Sequence, residues 1–297
     1  MHCSAQSKFK VTVSVFPLKE FAQAVCGEKG DVSLLCPPGA EIHTWRPRPS
    51  DMIKIAKSDV FIHIGVGLEP WLDDVLKSVN NPDLRILRAS DSLLPTERLE
   101  HLAEIDHKAQ HGEITHEHTH DTLDPHIWLD CVIDQRIIDS IVGIFSKIDP
   151  GSSELFKKNG SEYKGKLGEC DRRFREELAP CKNRTFILGG HAAFGYLARR
   201  YGLHQISLFG VSPDSRPTPR QLVRIVELAK EHNINVIYFE AYVSDDLAKV
   251  IADEVGAKTL VLNPGANLTV EQTAAQVTFL EIMYQNLKSL KKGLSCE

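Results

Sequence analysis

Apolar and polar residues alternate along the chain in short blocks, and their period switches repeatedly between strand-like and helix-like. Compact apolar runs rich in β-branched residues predict strands at residues 10–15, 32–36, 60–64 and 84–87. Between them, apolar steps of three and four residues predict helices at 18–25, from Ser50-Asp51 through 57, and at 69–79. Ser50 is the expected cap of the second, because its oxygen can accept from free N–H groups of a first turn. A polar stretch at 89–124 breaks this rhythm and reads as a long surface loop, after which helical spacing resumes over 129–148.

From 153 to 178 the apolar residues Phe156, Tyr163, Leu167, Cys170, Phe174 and Leu178 form one stripe of a long helix. Pro150 suits its start and Pro180 its end. Nothing β-like interrupts it, so it is expected to act as a strut between two halves. The second half repeats the first half's rhythm. Strands are predicted at 185–188, 205–209, 236–240 and 259–262, and helices at 192–201, 219–232, 245–255 and 270–290. A Pro- and Ser-rich loop is predicted at 211–219. Such alternation is the signature of α/β layering, and no short tandem repeat suggests a solenoid or propeller.

Composition narrows the class. With 297 residues, 42 % hydrophobic and 25 % charged, the chain can bury a sizeable core without staples. Its net charge of −5, from 35 basic and 40 acidic residues, and the lack of an arginine-rich run argue against nucleic acid as a partner. The longest apolar run, near 60–68, is interrupted by His63 and falls far short of the ~20 residues of a membrane span. No apolar signal segment opens the sequence, which fits either a cytosolic protein or a mature chain whose export signal has been removed. The seven cysteines (3, 26, 36, 131, 170, 181 and 296) include no C-x-x-C pair, so a cysteine zinc ribbon is excluded. Cys3 is either a lipid-anchored N-terminal residue, leaving six cysteines to pair, or a free thiol.

Among 13 histidines, three stand at comparable addresses. His43 lies just past the second predicted strand, in PPGAEIHTWRPRPSD. His126 lies in LDPHIWLD, between the polar loop and a helix, and His191 follows Leu188-Gly189-Gly190 at a strand end. In open α/β sheets, ligand-binding groups gather at the C-terminal edges of strands. Neutral imidazole suits Zn²⁺ in tetrahedral geometry at ~2.0–2.1 Å. Each ring must lose its proton to bind, so affinity should fall below pH ~6.5. The bland reading of any one of these residues is a hydrogen-bonded structural histidine. Gly189-Gly190 weighs against it for His191, since two missing side chains let the backbone turn tightly and present the next residue.

The stretch from 101 to 126 holds seven histidines, and His116, His118 and His120 alternate in HEHTHD. Dense histidine in a polar loop, about 101–125, points to weak zinc collection rather than to a strand; the competing reading is a solvated insert. His63, inside an apolar strand, reads as a satisfied core residue. His204 is bland, and His232 sits near a helix C-terminus, where positive charge is favourable.

Taken together, PPGAEIHTWRPRPSD, GVGLEPWLD, DPHIWLD, GGHAAFGYLARRYGL and VIYFEAYVS followed by LVLNPG resemble the metal-binding receptors of zinc and manganese ABC importers. This is the ZnuA/TroA-like solute-binding family, and the resemblance covers nearly the whole chain. It implies two Rossmann-like α/β lobes joined by a single long rigid helix, with the metal in the cleft between them. The implied boundaries are 8–149, 150–179 for the linking helix, and 180–297. His43, His126 and His191 fall on the first three ligand positions. Histidine at the third is typical of zinc members, whereas manganese members often carry glutamate there, so zinc is expected over manganese. The family usually has an aspartate ligand where this chain has Asn263. Three explanations stay open: a water completes the tetrahedron with Asn263 behind it, a carboxylate such as Glu240 or Glu41 approaches, or a loop histidine fills the place. Glu240 has a further expected use, hydrogen-bonding a ligand imidazole to fix its tautomer.

The resemblance therefore implies capture of zinc outside the cytoplasm by a monomeric receptor. The receptor is periplasmic or lipid-anchored and delivers the metal to a membrane permease through small lobe rocking. The main alternative is a zinc hydrolase, since three histidines plus water also describe a catalytic site. No H-E-x-x-H helix supplies a general base, and HEHTHD matches H-x-H-x-D-H with its last two residues reversed. A third class is surface adhesion. A serine hydrolase is excluded by the lack of a G-x-S-x-G elbow.

Overall fold

The computed structural model describes residues 8–99, 123–210, 218–241 and 246–296. Cys3, the histidines at 116, 118 and 120, and the proline- and serine-rich segment at 211–217 lie outside the described residues. The chain forms two compact units, each assembled from three separate stretches.

The first unit contains the described residues up to Leu93, Cys131–Glu169 and Gly265–Phe279. Strands β1 (Phe9–Val13), β2 (Gly30–Leu34), β3 (Val60–His63) and β4 (Arg85–Arg88) form a parallel sheet of order β2-β1-β3-β4. Helices α1 (Phe16–Cys26), α2 (Pro49–Ala56), α3 (Leu72–Ser78) and α4 (Cys131–Ile148) connect or follow these strands. Parallel strands covered on both faces are buried along their length, which is why 60–63 reads as an apolar run, whereas β1 keeps Lys10 exposed. Phe9 meets Phe145 of α4 edge-on, with ring centroids 5.0 Å apart.

Helix α5 (Ser153–Leu178) has the predicted bounds, and its whole predicted stripe, Phe156 to Leu178, is buried. Its residues to Glu169 belong to the first unit and those from Cys170 to the second.

The second unit contains the described parts of Leu94–Asp130, Cys170–Pro264 and Leu280–Glu297. Its parallel sheet, order β6-β5-β7-β8, uses β5 (Thr185–Leu188), β6 (His204–Ser207), β7 (Val236–Glu240) and β8 (Lys258–Leu262). Helices α6 (Gly195–Tyr201), α7 (Pro219–Glu231) and α8 (Asp246–Val255) cross between these strands. The sheet order matches that of the first unit, so the repeated rhythm in sequence corresponds to a repeated topology. Ile187, Ile206, Ile225, Ile237 and Ile251 form its core. A disulfide joins Cys181 to Cys296, while Cys26, Cys36, Cys131 and Cys170 are buried and not disulfide-bonded.

Four local expectations need correction. Helix α2 begins at Pro49 with Arg48 as its cap residue, so Ser50 is inside the first turn. Proline presets the first-turn angle and needs no N–H partner, and the Asp51 carboxylate accepts from Arg48 N at 2.9 Å. Helix α3 starts at Leu72 and not at 69, because Glu69 is turned inward. Its carboxylate accepts from Ser14 Oγ (2.6 Å), Ile64 N (2.9 Å) and Gly65 N (2.9 Å). The single closing helix is two, α9 (Val270–Ala274) and α10 (Phe279–Gly293). Gln276 adopts φ +54°, and Phe279 N donates to Glu20 Oε2 at 2.6 Å, so the chain stops and restarts. Finally, His63 is buried but its Nδ1 has no hydrogen-bond partner among the described residues. Burial, with the nearby Arg88 charge, lowers its pKa to about 4, so the ring is neutral. Among the described residues, no helix is long and apolar enough to cross a membrane.

Candidate metal centre

The pairing of β5 with β7 sets Leu188 opposite Tyr238. His191, three residues beyond Leu188, and Glu240, two beyond Tyr238, therefore emerge at the same sheet edge. The two strands flank the point where strand order reverses, the usual place for a ligand in such sheets. Glu240 Oε1 accepts from His191 N at 2.8 Å and lies 2.8 Å from His191 Nδ1, while Oε2 lies 2.7 Å from the same ring nitrogen. Gly190 makes this approach available, since a Cβ there would collide with Glu240 Oε1. A Cβ on Gly189 would meet Ala248 of α8 at 2.7 Å. The Gly-Gly pair is thus a packing requirement on both sides of the turn.

His126 is built the same way from a different segment. Asp124 Oδ1 accepts from His126 N at 2.9 Å and lies 2.8 Å from His126 Nδ1. The turn that follows, Ile127–Leu129, is held by Trp128 Nε1 donating to Pro264 O at 2.7 Å. Gly195 leaves room for the acid, because a Cβ there would lie 2.5 Å from Asp124 Oδ2. Asp124 is a brace for His126 that histidine spacing does not reveal; its signal is an acid two residues ahead of the histidine in D-P-H.

His126 and His191 turn their Nε2 atoms toward each other at 3.1 Å. A carboxylate on each Nδ1 favours the tautomer that carries the proton there and leaves the Nε2 lone pair free. Tetrahedral Zn²⁺ with bonds of ~2.0–2.1 Å would separate two ligand nitrogens by roughly 3.3 Å. Burial holds the His126 pKa well below its ordinary value, the His191 charge adds to this, and Glu240 opposes it. Two buried Nε2 atoms that face each other at this distance suit a divalent cation. Glu240 and Asp124 are committed to imidazole and backbone donors, a poor position for a general base.

Asn263 lies just past β8 and is buried. Asn286 of α10 grips its backbone from both sides, accepting from Asn263 N at 2.8 Å and donating to Asn263 O at 2.7 Å. In the first unit, half-buried His43 sits on the segment after β2. Asn267 Nδ2 donates to Pro37 O (2.7 Å) and Ala40 O (2.9 Å), and Gly39 N donates to Leu268 O (2.8 Å). Glu41 Oε2 accepts from Thr44 N at 3.0 Å within that segment. Trp45 packs edge-on against Trp71, with centroids 5.6 Å apart.

The family profile described as "ZnuA: Zinc-uptake complex component A periplasmic" matches residues 11–293. The chain belongs to this family. It is 37 % identical over 291 residues to the high-affinity zinc uptake system protein ZnuA of Bacillus subtilis (strain 168), covering 98 % of this chain and 89 % of that protein. Identity to the zinc-binding protein AdcA of Streptococcus pyogenes serotype M3 is 34 % over 290 residues, covering 97 % of this chain. The match covers 56 % of AdcA, so the chain spans little more than half of that relative. The Zn(II)-bound ZnuA-like domain of Streptococcus pneumoniae AdcA superposes with a TM-score of 0.79 at 31 % identity, covering 97 % of this chain and 99 % of that one. The laminin-binding protein Lmb of Streptococcus agalactiae, described as bifunctional with adhesin and metal transporting activity, gives 0.80 at 27 %, covering 96 % and 99 %. Membership confirms the two-lobed α/β architecture expected from the sequence and places the chain among uptake receptors rather than enzymes. The hydrolase alternative loses its basis.

Proposed function

We propose that the chain captures Zn²⁺ outside the cytoplasm and delivers it to the permease of an ABC-type importer. The observation that carries this reading is the convergence of His126 and His191, each braced by its own carboxylate, with Nε2 atoms 3.1 Å apart. Zinc uptake by the related Bacillus protein and zinc binding by the streptococcal ones support the choice of metal. His43 of the first unit is the third ligand in this reading, and the fourth place is taken by water with Asn263 behind it. Glu240 is left out of direct ligation because both of its oxygens are engaged by His191. An all-imidazole set favours Zn²⁺ over the harder Mn²⁺.

The remaining parts of the reading rest on the sequence. The histidines at 116, 118 and 120 collect zinc weakly for the main site, and the receptor works as a monomer. Lobes of residues 8–149 and 180–297 are linked by the helix at 150–179. A lipid on Cys3 would hold the receptor at the membrane, as the name of the pneumococcal zinc-binding lipoprotein AdcA suggests for that relative. Support for adhesion comes from the laminin-binding neighbours, Lbp of Streptococcus pyogenes and Lmb of Streptococcus agalactiae.

Calorimetric titration with Zn²⁺ tests the assignment. The wild-type chain should show one tight site, and His126→Ala and His191→Ala should each weaken it at least a hundredfold, roughly 2.7 kcal/mol. His43→Ala tests the third ligand separately. Wild-type affinity in both second-unit variants would defeat the receptor site as drawn.

A further inference from the structure

Arg200 lies on α6, the helix that begins four residues after His191. Its Nε donates to Asp171 Oδ1 at 2.9 Å and its Nη2 to Asp171 Oδ2 at 3.2 Å, a two-point contact with α5. The same Nε lies 3.8 Å from Asp130 Oδ1. Asp130 closes the Ile127–Leu129 turn, four residues after His126, and both acids are buried. Next along α6, Tyr201 donates to Asp171 Oδ1 at 3.3 Å and stacks on Phe174, with centroids 4.9 Å apart. One guanidinium therefore ties together the turn that carries His126, the helix that follows His191, and α5.

We propose that Arg200 is a positioning residue for zinc, fixing the His126 turn against the His191 helix so that the two rings stand ready to share one ion. The proposal rests on the receptor reading above. An exposed ion pair would contribute little, but here Arg200 bridges two buried carboxylates, Asp171, which Arg175 also holds, and Asp130. Breaking a buried bridge costs more than breaking an exposed one, and its loss would loosen the Asp130 turn against α6. A metal site tolerates displacements of only about 0.5 Å in its ligands before affinity drops. The short connections transmit such a shift, since Leu129 N bonds His126 O at 3.2 Å and Ala193 N bonds His191 O at 2.8 Å.

The test is zinc titration of the full chain by calorimetry, with thermal melts of the metal-free protein, for Arg200→Met, Arg200→Lys, Asp130→Asn and the Arg200→Met/Asp130→Asn double variant. Arg200→Met should lower zinc affinity about tenfold, the lower end of the loss seen when groups supporting metal ligands are removed. Arg200→Lys should recover part of the loss, and the double variant should bind no more weakly than Arg200→Met alone. A purely structural arginine would lower the melting temperature and leave the zinc affinity of the folded protein unchanged, which would overturn the proposal. If Arg200→Met does not fold, Asp130→Asn carries the same readout, and unaltered affinity there has the same meaning. Absence of zinc binding by the wild-type chain would overturn the receptor reading together with this one. Intact wild-type binding with unaffected variants would overturn this one alone.

Discussion

Glu240 and His191 meet through three contacts of 2.7–2.8 Å, one to the backbone N–H and two to ring Nδ1. A side chain held this way has its ring plane, its tautomer and its basicity set by one neighbour. Asp124 does the same for His126 with two contacts of 2.8 and 2.9 Å. Both pairs depend on glycine, because Gly190 and Gly195 occupy the space that a Cβ would deny to the acids.

It follows that Glu240→Gln should lower zinc affinity by about 10–100-fold while leaving all three histidines in place. The amide keeps the size of the carboxylate but withdraws the negative charge that makes His191 a stronger donor. Gly190→Ala should give a loss of similar size with no polar group altered, by pushing Glu240 away. Calorimetric titration of both variants provides the check; affinities within twofold of wild type would mean that the carboxylate does not tune the ligand.

Asn263 gives a prediction of opposite sign. The family usually places an aspartate at this position, and a neutral amide is a weak zinc ligand. Because Asn286 fixes the backbone on both sides of Asn263, exchanging the side chain should leave its position intact. Asn263→Asp should therefore raise zinc affinity about tenfold, some 1.4 kcal/mol, as a carboxylate displaces water. Competition against a fluorescent chelator measures the change. Equal affinity would show that this side chain does not face the ion.

Much of this arrangement is legible in the order of residues alone. The strands at 185–188 and 236–240 and the helix at 153–178 follow directly from run length and stripe, and the glycine pair marks His191. What the pattern does not reveal is decided by groups distant in sequence. Glu69 leaves its predicted helix to hold Ser14, and Glu20 caps α10 from 259 residues away. The β5–β7 register that sets Glu240 beside His191 is equally hidden, because strands buried on both faces carry no alternation to mark it. Asp124 stands beside its histidine in sequence, yet its role depends on a turn that brings its carboxylate back to the ring.

His63 makes the metal-free protein sensitive to acid. Its pKa is lowered from 6.5 to about 4 by burial and by the Arg88 charge. Above pH ~6.5 the ring is neutral in both folded and unfolded chains and makes no difference. As pH falls from 6.5 toward 4, the unfolded chain takes up the proton that the folded one refuses, so stability declines. The full loss approaches roughly 3 kcal/mol. Urea unfolding of wild type and His63→Leu between pH 7 and 4 should show a gap that changes by this amount in favour of the variant. A gap constant with pH would place the ring in a solvated site.

The disulfide allows the stability of the second unit to be separated from zinc binding. Cys181 and Cys296 are 115 residues apart, so the bond closes a long loop and restricts the unfolded chain strongly. Removing such a bond typically costs about 2–5 kcal/mol, equivalent to roughly 5–15 °C in melting temperature for a domain of this size. The end of α10 nevertheless has other anchors. Asn183 N donates to Leu294 O at 3.2 Å, and Tyr238 donates to Ser289 O at 3.2 Å. Cys181→Ser should thus melt earlier and lose its sensitivity to reductant, yet bind zinc as wild type does at 25 °C, because the groups that brace His126 and His191 are left intact. Reduced wild type should melt with the variant. A drop in zinc affinity on breaking the bond would instead show that the end of α10 bears on the ligands, through the Asn286–Asn263 clamp.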